Sequence, residues 1–146
     1  MAFVSLTRLR VRSIGFLPPF LWHTLKTTRQ ARRSPGFLGG EILRESGNVY
    51  WTMTAWNDPA SMNAFRTQGA HGAVMPKLLD WCDEAAVAHW HQPAAELPNW
   101  QQAHFIMTKD GRPSKVKHPS PAHLANEIPP PRVGRAEATL RPTRRK

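Results

Sequence analysis

FLGGEILRESGNVYWTMTAW, residues 37–56, consists of two extended segments set around Gly47-Asn48. Val49, Tyr50, Trp51, Thr52 and Thr54 are β-branched or aromatic, types that fit a pleated, half-buried surface. Gly and Asn tolerate positive φ, so the spacing predicts an antiparallel hairpin, 37–46 against 49–56, closed by a two-residue turn. Upstream, Ser34, Pro35 and Gly36 end a helical repeat of Leu17, Leu21, Leu25, Thr28 and Ala31. That helix opens on Pro18 and Pro19, which suit a first turn whose N–H groups have no partners. Trp22, Lys26, Arg29 and Arg33 give it a basic outer face. Residues 2–12, AFVSLTRLRVR, lack Gly and Pro and put Phe3, Ser5, Thr7, Leu9 and Val11 on one side of a first strand.

Downstream of the hairpin, Asp58 caps a helix with Pro59 at its first position and Met62 and Phe65 as its apolar stripe. Gly69 and Gly72 interrupt this helix around His71, and helical spacing resumes through Met75, Leu78, Leu79 and Cys82. Pro76 then falls in the first turn of the resumed helix or kinks it. Residues 84–92, EAAVAHWHQ, alternate as a last strand. The order strand, helix, strand, strand, helix, strand predicts an α+β fold of the ferredoxin-like kind, a four-stranded antiparallel sheet with both helices on one face. The other face carries large apolar side chains and needs a cover.

The domain spans 1–92, followed by an ordered or partly ordered extension, 93–127, with a short helix over 98–107 and a turn at Asp110-Gly111. This extension is long enough to wrap over the domain. Residues 128–146 are Pro-rich and basic and are expected to be disordered. No internal repeat is present.

The chain has 146 residues, 40% apolar, with six Trp and six Phe, enough for a packed interior. Its net charge of +10 sits at the two ends. Residues 1–40 hold seven Lys and Arg and no acid, whereas the middle is nearly neutral, which argues against specific nucleic-acid binding. The single cysteine, Cys82, rules out an intrachain disulfide, and the cytoplasm is the expected compartment. The run IGFLPPFLW after Arg8, Arg10 and Arg12 is too short to span a bilayer and is interrupted by proline, so no transmembrane segment is expected.

SPGFLGGEILRES and YWTMTAWNDPASMNAFRTQGAH resemble the antibiotic-biosynthesis-monooxygenase-type family of dimeric α+β barrels. The family's Pro-Gly-Phe/Tyr motif opens a second strand; a strand ending in Trp then leads into a helix opened by Ser or Asp, and a Phe and a His follow. Pro35, Gly36, Phe37, Trp56, Asp58, Phe65 and His71 match these positions. The resemblance covers 2–92. It implies a homodimer in which two sheets close an eight-stranded barrel, and activities that include cofactor-independent oxygenation of polycyclic aromatic molecules and haem degradation. The haem-degrading subgroup carries a catalytic Trp in the second helix and a His ten residues on; Phe65 and Met75 stand there, against that route.

His71 has two readings, a proton-transfer residue facing a cleft or a cap on a broken helix. Trp51 and Trp56 fall on opposite faces of one strand, as pocket walls or as core. Met75 and Phe65 complete a candidate apolar pocket. Arg8, if its face meets that pocket, could hold a carboxylate or phenolate, with surface exposure as the other reading. His89 and His91 share a strand face, a spacing usable by a metal, but no third ligand has a spacing rule, so no metal is assigned. His118 and His123 belong to a solvated arm or an anion site. No nucleophilic triad, phosphate loop or paired-acid motif is legible. The resulting expectation is a monooxygenase-like enzyme, acting without a cofactor on a small apolar molecule, aromatic or polyene-like, in a pocket between helices and sheet. A non-catalytic small-ligand or haem-binding protein of the same fold is the alternative, and a partner-binding basic tail a third.

Overall fold

The computed structural model describes residues 1–132 and 136–143. Strands β1 (Ala2–Val11), β2 (Phe37–Glu45), β3 (Val49–Trp56) and β4 (Cys82–Gln92) pair antiparallel in the order β4-β1-β3-β2. Helices α1 (Leu17–Arg33), α2 (Pro59–Thr67) and α3 (Gly69–Trp81) complete the ferredoxin-like core. The sheet is wider than the four strands expected: β5 (Arg112–Pro113) adds to the β4 edge and β6 (Glu137–Leu140) to the β2 edge.

The hairpin forms with a different turn. Glu45 pairs with Val49, leaving a three-residue loop in which Gly47 and Asn48 both have positive φ, 79° and 64°. Asn48 is drawn out of the two-residue turn because its carbonyl accepts from the Val11 N–H at 3.0 Å, tying the loop to the end of β1. Asp58 caps α2 as expected, its carboxylate accepting from the Ser61 N–H at 2.7 Å, and Pro59 follows at the first position. Pro76 lies inside α3, which is continuous from Gly69.

Side-chain alternation divides the sheet into two unlike faces. Val4 and Leu6 of β1, Trp51, Met53 and Ala55 of β3 and Leu43 of β2 form one apolar cluster, completed by Trp100, Ala103 and Met107. These last three belong to helix α4 (Trp100–Asp110), whose start is fixed by a reciprocal cap between Asn99 and Gln102. The cover of this face is therefore the chain's own extension. A sheet-to-sheet homodimer, as the resemblance implied, would meet α4 where the partner's sheet belongs.

The extension continues as a strap. Ser114, Lys117 and Ser120 donate main-chain hydrogen bonds to Ala85, Leu79 and Asp83, holding it along β4 and the end of α3 as far as the short helix α5 (Pro121–Leu124). It then crosses under α4, where the Ile128 carbonyl meets His104 Nε2 at 2.8 Å. Of the segment expected to be disordered, described residues make main-chain contacts: Arg132 donates its N–H to Glu45, β6 pairs with β2, and Thr143 donates to the Arg32 carbonyl. Poor in apolar residues, this segment is ordered by main-chain bonds to a free sheet edge. Residues 133–135 and 144–146 of the expected tail lie outside the described residues. Among the described residues no helix is long and apolar enough to cross a membrane.

Candidate functional site

The second face of the sheet meets α1, α2 and α3 across a cavity of about 270 Å³. Its floor is largely hydroxylated, with Ser5 and Thr7 of β1 and Tyr50, Thr52 and Thr54 of β3. Its roof combines Phe20, Thr24 and Thr27 of α1 with Phe65, Val74 and Leu78 of α2 and α3. Small hydroxyl side chains beside apolar walls suit a bound organic molecule better than a close-packed core.

His71 lines this cavity near the start of α3. The break that places it is built by two glycines: Gly69 adopts φ +58°, and a β-carbon on Gly72 would come within 2.5 Å of the Thr67 carbonyl oxygen. Gln30 of α1 holds the break, accepting from the His71 N–H at 2.8 Å and donating to the carbonyls of Phe65 and Gln68. The ring packs at a tilt of 53° against Phe65 with centroids 4.7 Å apart, and Nδ1 lies 2.9 Å from the Arg66 carbonyl. A carbonyl only accepts, so Nδ1 carries the hydrogen and the neutral ring keeps its lone pair on Nε2. Burial is the main cause that lowers the His71 pKa; the bond to the Arg66 carbonyl opposes it, and the Arg66 charge adds to it. The ring is thus held neutral, in the tautomer of a base.

Two further histidines line the cavity, and burial lowers both. For His89 the charges of Arg66 and Arg112 add to the effect, for His23 those of Lys77 and Lys26. The lining contains Arg66, Arg112 and Lys115 and no acid. Among the described residues, none of these three cations takes part in an ion pair. All three are exposed, so the positive charge sits at the rim of the cavity, partly screened by solvent.

Of the residues singled out from the sequence, His71, Phe65 and Met75 come together here. Trp56 stands behind them, fully buried, its ring 5.1 Å from Phe65 and its Nε1 donating to Thr54 Oγ1. Trp51 and Arg8 do not join them. Trp51 faces α4, in edge contact with Trp100 at 6.4 Å and donating to Glu45 Oε2 at 2.7 Å. Arg8 points the same way because even positions of β1 face away from α1; it is 5% exposed, bonded to Glu84 at 3.4 Å and 5.8 Å above the Trp51 ring. It is therefore neither a pocket residue nor a surface one.

His89 faces the cavity while His91 packs on Phe3 with centroids 5.1 Å apart. Among the described residues no three His, Cys, Asp or Glu side chains converge as a metal site. His118 lies 3.5 Å from Asp80 and His123 accepts from the Ala85 N–H, so both are occupied in holding the extension. The Cys82 thiol, pushed up to about 12 mainly by burial, is no nucleophile near neutral pH. Tyr50, His23, Arg66 and Arg112 were missed from the sequence. The legible signal was the row Ser5, Thr7, Thr52 and Thr54, hydroxyls recurring at every second residue where core residues would stand.

No protein family and no curated protein matches the sequence. Solved structures do match. SnoaB, a cofactor-independent oxygenase from Streptomyces nogalater, superposes with a TM-score of 0.53 at 19% identity, over 67% of this chain and 98% of its own. A putative antibiotic biosynthesis monooxygenase from Nitrosomonas europaea gives 0.56 at 16% identity, over 62% and 89%. Rv0793 from Mycobacterium tuberculosis gives 0.57 at 8%, over 64% and 97%. The chain has the antibiotic-biosynthesis-monooxygenase fold. About a third of it has no counterpart in these structures, which are themselves almost wholly matched. At such identities the likeness is one of fold, and function has to be argued from the site itself.

Proposed function

We propose that the cavity binds a small hydroxyarene and that the protein is a monooxygenase-like enzyme working without a cofactor, with His71 as its base. The observation that carries this reading is the His71 ring, neutral and fixed by the Arg66 carbonyl with Nε2 left to accept a proton, in a cavity whose other charges are positive. Nε2 takes the proton of a ring hydroxyl, and the phenolate that remains sits in the field of Arg66 and Arg112. Ionisation raises the electron density of the ring, which is what direct reaction with dioxygen requires. The substrate then supplies the electrons: a ring carbon bearing one hydrogen, para to the ionised hydroxyl, takes one oxygen atom as a carbonyl while the phenolate oxygen becomes the second carbonyl, and the other oxygen atom leaves as water with that hydrogen and the proton held on His71. Phe65 and Met75 serve as apolar walls, and Trp56 supports Phe65. The likeness to a cofactor-independent oxygenase supports this chemistry without assigning it.

The cavity is complete within one chain, so the reading needs no partner subunit. The buried single thiol suits the reducing conditions of the cytoplasm. The test is oxygen uptake against a panel of hydroxyarenes. His71→Ala is expected to lower turnover about 100- to 10,000-fold, the usual contribution of a positioned base, while ligand affinity stays within threefold. Undiminished turnover would remove His71 from the mechanism, and binding without uptake by the unaltered protein would leave a non-catalytic ligand-binding protein.

A further inference from the structure

The end of the cavity away from His71 contains polar atoms that no described residue satisfies. Tyr50 is 5% exposed, and its Oη has no hydrogen-bond partner among the described residues; the same holds for His23 Nδ1. Both residues line the cavity. They belong to one end of it: Phe20 packs on the Tyr50 ring at 4.8 Å, and His23 follows Phe20 by three residues on α1, on the same side of the helix. Buried polar atoms are nearly always paired, and leaving one unpaired carries a free-energy penalty, so two at one end of one cavity point to an absent partner.

Strand register sets the distance to the base. Ser5 pairs with both Thr54 and His89, and this row lies beside Arg66 at the His71 end. Leu9 pairs with both Tyr50 and Ala85 four residues further along. At about 3.4 Å per residue the two rows stand about 14 Å apart. Between them the floor carries Thr7, Thr52 and Val87, with Arg112 beside Val87 at the β4 edge.

We infer that Tyr50 and His23 form an oxygen-binding subsite, and that the ligand is a fused-ring hydroxyarene carrying a second neutral oxygen, hydroxyl or carbonyl, at the end opposite the ionising hydroxyl. Tyr50 Oη donates to that oxygen, and His23 Nδ1 donates or accepts according to whether the group is a carbonyl or a hydroxyl. Burial lowers the His23 pKa, consistent with a neutral ring that offers either role. The inference rests on the reading of the cavity as a hydroxyarene site and adds the second oxygen.

The experiment is a fluorescence titration of the intact protein with two probes, a naphthalenediol whose hydroxyls lie at opposite ends of the ring system and the naphthol that lacks one of them. The diol is expected to bind at least tenfold more tightly. In Tyr50→Phe, which deletes only an unpaired hydroxyl, that advantage should fall to within twofold while naphthol affinity is unchanged. In His71→Gln the advantage should persist. Equal binding of the two probes by the unaltered protein, or an advantage that survives in Tyr50→Phe, overturns the subsite and leaves the hydroxyarene reading standing. Failure of both probes to bind overturns both.

Discussion

The two faces of the sheet are made from the same strands, residue by residue, and come out opposite in character. Toward α4 the strands present Val4, Leu6, Trp51, Met53 and Leu43, all buried and closed over by Trp100 and Met107. Toward α1 and α3 they present Ser5, Thr7, Thr52 and Thr54, over a cavity of about 270 Å³. One face is packed along its length; the other is packed at its two ends, around Trp56 and around Phe20, and between them keeps room and hydrogen-bonding groups. In a sheet-to-sheet dimer a second copy would supply the packed cover. Here α4 supplies it, so stability and the candidate site both belong to a single chain.

Adjacent residues on β3 provide the sharpest way to break this contrast. Trp51→Ala opens a void against Trp100 and leaves Glu45 Oε2 without the indole donor. It should cost about 3–5 kcal/mol in urea unfolding, the range for removing a large buried aromatic. Thr52→Val, one residue along but facing the cavity, should change stability by less than about 1 kcal/mol. Similar losses at the two positions would mean that the cavity face is packed after all.

The next effect is at the helix break. Alanine normally stabilises a helix relative to glycine, but in Gly72→Ala the new methyl would press on the Thr67 main chain, which cannot turn aside as a side chain would. A loss of about 1–3 kcal/mol is expected, together with weaker hydroxyarene binding as α2 and α3 part and His71 shifts. A gain in thermal midpoint would show that the contact between the two helices relaxes freely.

The hairpin, the capped helix and the alternation of β1 and β4 were legible because each is local: turn residues, a cap and a period of two suffice. The same periodicity separated Trp51 from Trp56, but it could not say which face would hold a cavity. That depended on α4, whose apolar residues Trp100, Ala103 and Met107 look unremarkable in a segment rich in Pro and Gln. Arg8 shows the cost of this gap. Its face was undecided from the sequence, and a buried pairing with Glu84, 76 residues away, carries no sequence signature. The pairing of residues 137–140 was not legible because it comes from main-chain bonds to the β2 edge, to which composition is blind. His71 was the reverse case: glycines on both sides marked the break, while the proton's place on Nδ1 required the Arg66 carbonyl to be located.

The smallest effect is a pH slope that belongs to the cavity face. His23, His71 and His89 all have pKa values below the ordinary 6.5, chiefly through burial, so the folded chain binds fewer protons than the unfolded one in the window from those lowered values up to 6.5. Stability must then rise with pH through this window and be lost as pH falls through it. The raised carboxyls of Asp83 and Glu41 act in the opposite sense, from their ordinary values of 3.8 and 4.5 upward. Urea midpoints measured at steps from about pH 5 to 7.5 should climb and then level off, and His71→Gln should make the climb shallower. A bound hydroxyarene that accepts from a neutral histidine or gives it a proton would change the slope again, whereas substitutions on the α4 face should move the whole curve without changing its shape. A flat profile in the unaltered protein would mean that the three rings are as well hydrated as in the unfolded chain, and the cavity would then be open to water rather than a closed site for an organic ligand.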